Sequence, residues 1–262
     1  MKKRIKISAA IITKNSERTI SSVLDSLLFA DEIVVVDSGS TDATVSIAER
    51  YGARTYYKKW QGYAKQKNYA VSKCRGEWIL SVDSDETVSR PLAAEISGAV
   101  NQGGAAGYFV PVETYCYPDR RLRFGGLYPN LHMRLFKKNK GMFQDAPVHE
   151  CVSVKGKTGT LKKPLLHYTK DSIHSHMEAV NAYTELEAEI PGRTPTGYSI
   201  IIKPMLYFLK HYFLKAGFLD GIEGFVYHKI SAYYIFIKEV KKAEKQGFDR
   251  LRVLKTIFKR NR

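Results

Sequence analysis

Residues 77–86 read EWILSVDSDE, and this stretch decides the fold. Its first six residues form an apolar run without the alternation of a half-solvated strand, so residues 77–82 are expected to be a strand buried on both faces. The run stops abruptly at Asp83-Ser84-Asp85. Two earlier runs have the same form. Residues 5–12 are β-branched and apolar and stop at Thr13-Lys14-Asn15, and Glu32–Asp37 (EIVVVD) stops at Ser38-Gly39-Ser40-Thr41-Asp42. Between them Ile20, Val23, Leu24, Leu27 and Leu28 keep helical spacing behind Asn15-Ser16, a candidate N-cap. A helix to about Tyr51, a short strand at Arg54–Tyr57 and a helix over Tyr63–Lys73 complete the alternation. Strands alternating with helices at this pitch predict an α/β fold on a largely parallel, Rossmann-like sheet with flanking helices.

Beyond Gly107 the pattern changes. Residues 108–117, 133–137, 148–154 and 161–167 read as shorter strands between Gly- and Lys-rich turns. From Asp171 the chain reads as helical, with one helix over 171–190, a break at Pro191-Gly192-Arg193-Thr194-Pro195, and then basic, aromatic-rich helices. The expected division is an α/β domain over 1–170, with halves at about 1–106 and 107–170, and a helical region over 171–262.

Composition bounds what such a chain can be. Its 262 residues are 44% hydrophobic and 26% charged, which suits a folded core and excludes a disordered or collagenous chain. A mean hydropathy of −0.30 and the lack of a long uncharged apolar run argue against a membrane span. Cys74, Cys116 and Cys151 are an odd, scattered set, too sparse for a disulfide framework or a zinc site, so a reducing cytoplasm is expected. The basic start followed by apolar residues is interrupted by Lys6 and has no cleavage-site pattern, so it reads as the first strand rather than as a leader. The 42 Lys and Arg against 26 Asp and Glu give a net charge of +16, which calls for an anionic partner: nucleic acid, a phospholipid surface or a phosphorylated substrate.

In an open parallel sheet, ligands bind beyond the carboxyl ends of the strands. Thr13, Asn15, Asp37, Asp83 and Asp85 all stand there. Carboxylates gathered at neighbouring strand tips repel one another unless a cation compensates, and a hard divalent ion completed by substrate phosphates would do so.

The motifs AAIITKN (9–15), VVVDSGSTDAT (34–44) and WILSVDSDE (78–86), in that order, resemble glycosyltransferase family 2, the inverting GT-A enzymes that use nucleotide-sugars. The resemblance covers roughly residues 5–170. The run FGGLYPNLHMRLFKKNKGMFQDAPVHE (124–150), then LLHYT (165–169) and GFLDGIEGF (217–225), is similar to a narrower branch, the bacterial lipopolysaccharide core glycosyltransferases, notably glucosyltransferases that extend the inner-core heptose. The resemblance implies that Thr13 and Asn15 line the nucleotide pocket and that Asp37 bonds the base or ribose. Gln66, Lys67 and Asn68 match positions that contact nucleotide or sugar. Asp85 would ligate Mg²⁺ or Mn²⁺; Asp83, the other member of the Asp-x-Asp pair, would face the ribose and donor sugar and be a second metal ligand, and His167 would be a further one. Arg134 would pair with a phosphate or with Glu150. The base that deprotonates the acceptor is implied to be Glu150, with Asp145 the second choice and His149 beside it touching phosphate or orienting the carboxylate. Many members carry Glu-Asp where this chain has His149-Glu150, so the base stays open between the two acids.

Plainer roles exist for the same residues. Asp37 could cap the following helix, Gln66-Lys67-Asn68 could be a solvated helix face, and His149-Glu150 could be a surface pair. Trp60 and Trp78 read as core or platform, and Tyr115, Tyr117 and Tyr128 as either core or a stacking surface for an acceptor sugar. Residues 203–262 hold 14 Lys and Arg against 5 Asp and Glu, over half of the net charge. Apolar residues interleave with these bases at helical spacing (Ile200, Ile201, Met205, Phe208, Leu209, Phe213), the pattern of helices lying in an anionic membrane interface. Ordinary packing on the catalytic domain is the alternative.

The expected protein is thus a metal-dependent inverting hexosyltransferase with UDP-glucose as donor. Its acceptor would be lipid-linked, with the lipopolysaccharide inner core first and other cell-surface polysaccharides or glycolipids behind it. It would sit peripherally at the inner face of the cytoplasmic membrane. A nucleotidyltransferase would need a Gly-rich loop after the first strand, which Thr13-Lys14-Asn15 is not. A non-catalytic membrane or nucleic-acid binding protein is the rival from another class. Nucleic acid is the least expected partner, since no recognition motif accompanies the basic residues.

Overall fold

The structure is a computed structural model that describes residues 6–144, 151–170 and 172–247. The chain divides into two compact units, Met1–Glu113 with Pro129–Tyr168, and Thr114–Tyr128 with Thr169–Arg262. Residues 114–128, read from sequence as part of the α/β half, cluster with the C-terminal helices.

The first unit is built on strands β1 (Ile7–Thr13), β2 (Glu32–Asp37), β3 (Arg54–Tyr57) and β4 (Trp78–Asp83), which run parallel in the order β3-β2-β1-β4. The sheet continues through β8 (Asn130–Lys137), β6 (Gly107–Cys116), β12 (Leu165–Lys170) and β5 (Glu86–Val88). β8 is antiparallel to both β4 and β6, and β12 is antiparallel to β5. A short β11 (Thr158–Thr160) adds to β6, and β9 (Gly141–Phe143) pairs with β10 (Val152–Val154) in a separate ribbon.

The continuous apolar runs bury both faces of this sheet. Ile7, Ala9, Ile11, Ile33, Val35, Trp78, Leu80 and Val82 pack on one side with α1 (Ile20–Ser26) and α4 (Arg90–Gln102). Ala10, Val34, Val36 and Ile79 pack on the other with α3 (Tyr63–Lys73) and Phe136. The remaining helix of this unit, α2 (Thr44–Arg50), follows β2. Glu32, buried at the start of β2, accepts from Ser8 Oγ at 2.5 Å, the Arg75 amide at 2.8 Å and Arg54 at 2.6 Å. Helix α4 is not among the elements anticipated from sequence, yet Ser89 caps it, Pro91 starts its first turn, and Leu92, Ile96 and Val100 form its buried stripe.

Two local expectations change. Asn15-Ser16 does not cap α1: the residue before that helix is Thr19, which makes no side-chain cap bond, while Asn15 is left-handed (φ 51°) and accepts from the Thr41 amide. Leu28, expected on the buried stripe, is 63% exposed because α1 ends at Ser26.

In the second unit, Thr114–Cys116 at the end of β6 pair with β7 (Arg120–Leu122). The helices are α5 (Ile173–Glu189), α6 (Lys203–Phe208) between π-helical turns at Tyr198–Ile202 and Leu209–Leu214, and α7 (Gly221–Lys245) after a tight turn at Gly217–Asp220. Ser172 caps α5, and Glu185, Glu187 and Glu189 meet Lys241, Lys238 and Lys245 of α7. No helix among the described residues is long and apolar enough to cross a membrane.

Candidate active site

The strand register assembles the polar stops. Thr13 lies opposite Asp37 across β1 and β2, and Ile12 lies opposite Asp83 across β1 and β4, so three polar residues share one end of three adjacent strands. Asp37 is buried and folds the loop after it, accepting from the Gly39 and Ser40 amides at 2.7 and 2.8 Å and from Ser40 Oγ. It does not cap the next helix, whose N-cap Ala43 makes no side-chain bond; Asp42, one residue earlier, accepts the Thr44 amide and hydroxyl. Gln66 on α3 is fully buried and donates from Nε2 to Ser38 Oγ and to the Lys58 carbonyl, both at 2.9 Å. Among the described residues, its Oε1 and the buried Thr13 Oγ1 have no hydrogen-bond partner. Buried polar atoms are normally satisfied, which makes these two atoms beside the Asp37 loop candidates for contact with a ligand.

Asp83 is the electrostatic centre. Lys67 Nζ lies 2.8 Å from one carboxylate oxygen and Arg134 Nη2 2.9 Å from the other. Arg134 also reaches Glu86 at 2.5 Å, and Glu86 accepts the Asp83 amide at 3.0 Å. Burial acts to raise the Asp83 carboxyl, but the charges of Arg134 and Lys67 outweigh it and hold it well below the ordinary carboxylate range. Glu86, completely buried, moves the other way: burial and the neighbouring Asp83 charge raise it against the pull of Arg134. The repulsion argued from sequence is therefore relieved at Asp83 by protein cations.

Asp85 is differently placed. A tight turn at Ser84-Asp85 leads into β5, whose pairing with β12 puts His167 opposite Glu86. His167 Nε2 lies 3.2 Å from Asp85 Oδ2, and the Asp85 carbonyl accepts the Tyr168 amide. Burial works to lower the His167 pKa, but Asp85, Glu86 and Asp83 together raise it above the usual histidine value. The described residues hold no group of three or more His, Cys, Asp or Glu arranged to bind a metal. The Asp85–His167 pair supplies one carboxylate oxygen and one imidazole nitrogen, a donor set that fits Mn²⁺ better than Mg²⁺ and leaves the other positions to substrate oxygens and water.

Asn68 is turned elsewhere: its amide donates to the Phe143 carbonyl and accepts from the Phe143 amide, fastening α3 to β9. Asn15 shapes the loop beside Ser40 and Thr41. Asp145, His149 and Glu150 lie outside the described residues. Of the tyrosines, Tyr117 is half-buried in the second unit, with its hydroxyl 2.5 Å from His176 Nδ1. Two contributors are absent from the sequence reading. Glu86 carries only its polarity as a signal, since the turn that folds it back over Asp83 has no glycine or proline. His132, two residues before Arg134 on β8, is held neutral, its pKa pushed down to about 4 by desolvation and the Arg134 charge.

A family model described as Glycosyl transferase family 2 matches residues 8–155. A glycosyltransferase of Rickettsia bellii (strain RML369-C) is 34% identical over 258 residues, covering 91% of this chain and 86% of its own length. The lipopolysaccharide core biosynthesis glycosyltransferase LpsC of Rhizobium meliloti (strain 1021) is 30% identical over 255 residues, covering 91% and 92%. Among solved structures, S. aureus TarS 1-349 in complex with UDP-GlcNAc superposes with a TM-score of 0.50 at 16% identity, covering 93% of this chain and 92% of that one. The fold is that of the GT-A glycosyltransferases.

Proposed function

The chain belongs to glycosyltransferase family 2, and from that premise we propose that it transfers a hexose, glucose from UDP-glucose, to a lipid-linked saccharide acceptor, the lipopolysaccharide inner core. The observation that carries the reading is the shared strand end of Thr13, Asp37 and Asp83 with the Asp85–His167 pair beside it. The likeness to LpsC supports the acceptor class. The unpaired Gln66 Oε1 supports a uracil base, whose N3–H would donate to it.

In this reading Asp37 and its loop bind the base and ribose, with Thr13 and Gln66 completing the edge. Asp85 and His167 would hold Mn²⁺ or Mg²⁺, which supplies charge neutralisation for the leaving diphosphate. Asp83, fixed between Lys67 and Arg134, faces the ribose and donor sugar, and Arg134 orients it and adds positive charge near the phosphates. Glu150, or Asp145 in its place, takes the proton of the acceptor hydroxyl. That oxygen then bonds to the anomeric carbon as the bond from carbon to the diphosphate oxygen breaks, with inversion. The basic helices attach the enzyme peripherally to the anionic inner face of the cytoplasmic membrane.

A thermal-shift panel of UDP-, GDP-, ADP- and CMP-sugars, with and without Mn²⁺, tests this. UDP-glucose with Mn²⁺ is expected to raise the melting temperature most, and Asp85→Ala to abolish the metal-dependent part. Stabilisation by another nucleotide, or by none, refutes the donor assignment.

A further inference from the structure

Within the second unit, Phe213, Leu214, Phe218, Leu219 and Ile222 fall inside ten residues and are between 47% and 84% exposed. Turns ordinarily present polar side chains, and a cluster of large apolar ones marks an interaction surface. The corner is fixed, not loose. Gly125 donates its amide to the Lys215 carbonyl at 2.9 Å, and His211 Nδ1 lies 2.6 Å from the Gly125 oxygen. The Asp220 carboxylate accepts the Arg123 and Phe124 amides at 3.1 and 2.9 Å. Ala216 is left-handed (φ 56°), and a Cβ on Gly217 would meet the His228 ring at 2.7 Å. A backbone held at so many points leaves these apolar side chains no inward alternative. Ile201, Met205 and Leu209, exposed at four-residue spacing on the helical segment before it, lead the same strip up to the corner.

The charges around the corner select the occupant. Its acids are occupied, Asp220 by backbone amides and Glu223 by Arg120 at 3.1 Å. Lys210 and Lys215 are exposed and make no ion pair among the described residues. A second copy of the chain docked through this face would bring Lys210 and Lys215 of both copies, all of one sign, into the same interface. An anionic bilayer offers an apolar interior for the side chains and negative headgroups for the lysines.

We infer that residues 213–222 form an insertion tip that enters the surface of an anionic phospholipid bilayer, with Lys210 and Lys215 against the headgroup phosphates. The inference rests on the peripheral-membrane reading above and names the surface that carries it. It is tested by flotation of the full chain with phosphatidylcholine vesicles, with and without about a third phosphatidylglycerol. The full chain is expected to float with the anionic vesicles and less with neutral ones. Leu214→Glu with Ile222→Glu should reduce flotation by about tenfold or more, while Met142→Glu, at an exposed apolar site on β9, should not. Leu214→Ser, a milder change at the most exposed position, should give a smaller loss with unchanged melting, and guards against misfolding of the double variant. Undiminished flotation of both tip variants overturns the tip and leaves the membrane reading standing. Failure of the parent chain to float with any vesicle overturns both. A dimer that the tip variants dissociate, without vesicle binding, assigns the face to a second copy and also overturns the inference.

Discussion

One guanidinium, that of Arg134, serves two acids 51 and 48 residues away in sequence, Asp83 and Glu86. Replacing it with Met would leave two neighbouring carboxyls without their shared cation. Arg134→Met is expected to cost about 3 kcal/mol of stability in urea unfolding and to weaken binding of the donor nucleotide. His228 is the opposite case: it is fully buried, and neither ring nitrogen has a hydrogen-bond partner among the described residues. Burial first, and then the neighbouring His211, lower its pKa from 6.5. The folded state requires the neutral ring, whereas the unfolded chain takes up a proton near the ordinary value. The penalty from protonation is thus absent above about pH 6.5, and stability drops as pH falls below that toward the folded-state value. His228→Leu should therefore raise stability by about 1 kcal/mol at neutral pH and flatten the acid limb, as read by urea titrations at about pH 8 and pH 5. Thr13, Asp37, Asp83 and Asp85 were legible in the sequence because each ends a run of apolar residues. The partners of Asp83 were not, because nothing local marks which lysine or arginine will face a given carboxylate.

At the scale of elements, the pairing of β5 with β12 matters most, for it alone brings His167 to Asp85. His167→Ala should lower Mn²⁺ affinity in the presence of UDP by about tenfold or more, measured by calorimetric titration, with melting of the metal-free protein little changed. Helix α4 offers a contrast. Ser89 accepts the Leu92 amide at its start, so Ser89→Ala should cost about 1 kcal/mol and leave nucleotide binding intact. Unchanged stability would remove the cap from the account. The parallel strands and α3 were readable from period and composition. Strands β5, β7, β9 and β11 were not, being three residues each, too short to establish any period.

For the whole molecule, the chain order conceals how the units are composed. Residues 114–128 depend on the C-terminal segment through Tyr117 with His176, the Arg123 and Phe124 amides with Asp220, and Gly125 with His211 and Lys215. A fragment ending at residue 170 would lose all of these partners. Limited trypsin digestion should cut it faster at Arg120, Arg121 or Arg123 than it cuts the full chain, where the backbone amides of Arg123 and Phe124 are bonded to Asp220; equal rates would show that 114–128 holds itself. The net charge of +16 and its concentration in the tail were plain from composition, but which face the charge borders was not. By itself the sequence determined the alternation of strands and helices, the polar stops at the strand ends and the family, because periodicity and ordered motifs are local properties of the chain. Only the tertiary structure decided that Lys67 and Arg134 neutralise Asp83, that Asp85 pairs with His167, and that 114–128 cluster with the C-terminal helices. Those outcomes depend on contacts between distant residues, whose energies are set by burial and geometry that no local pattern records.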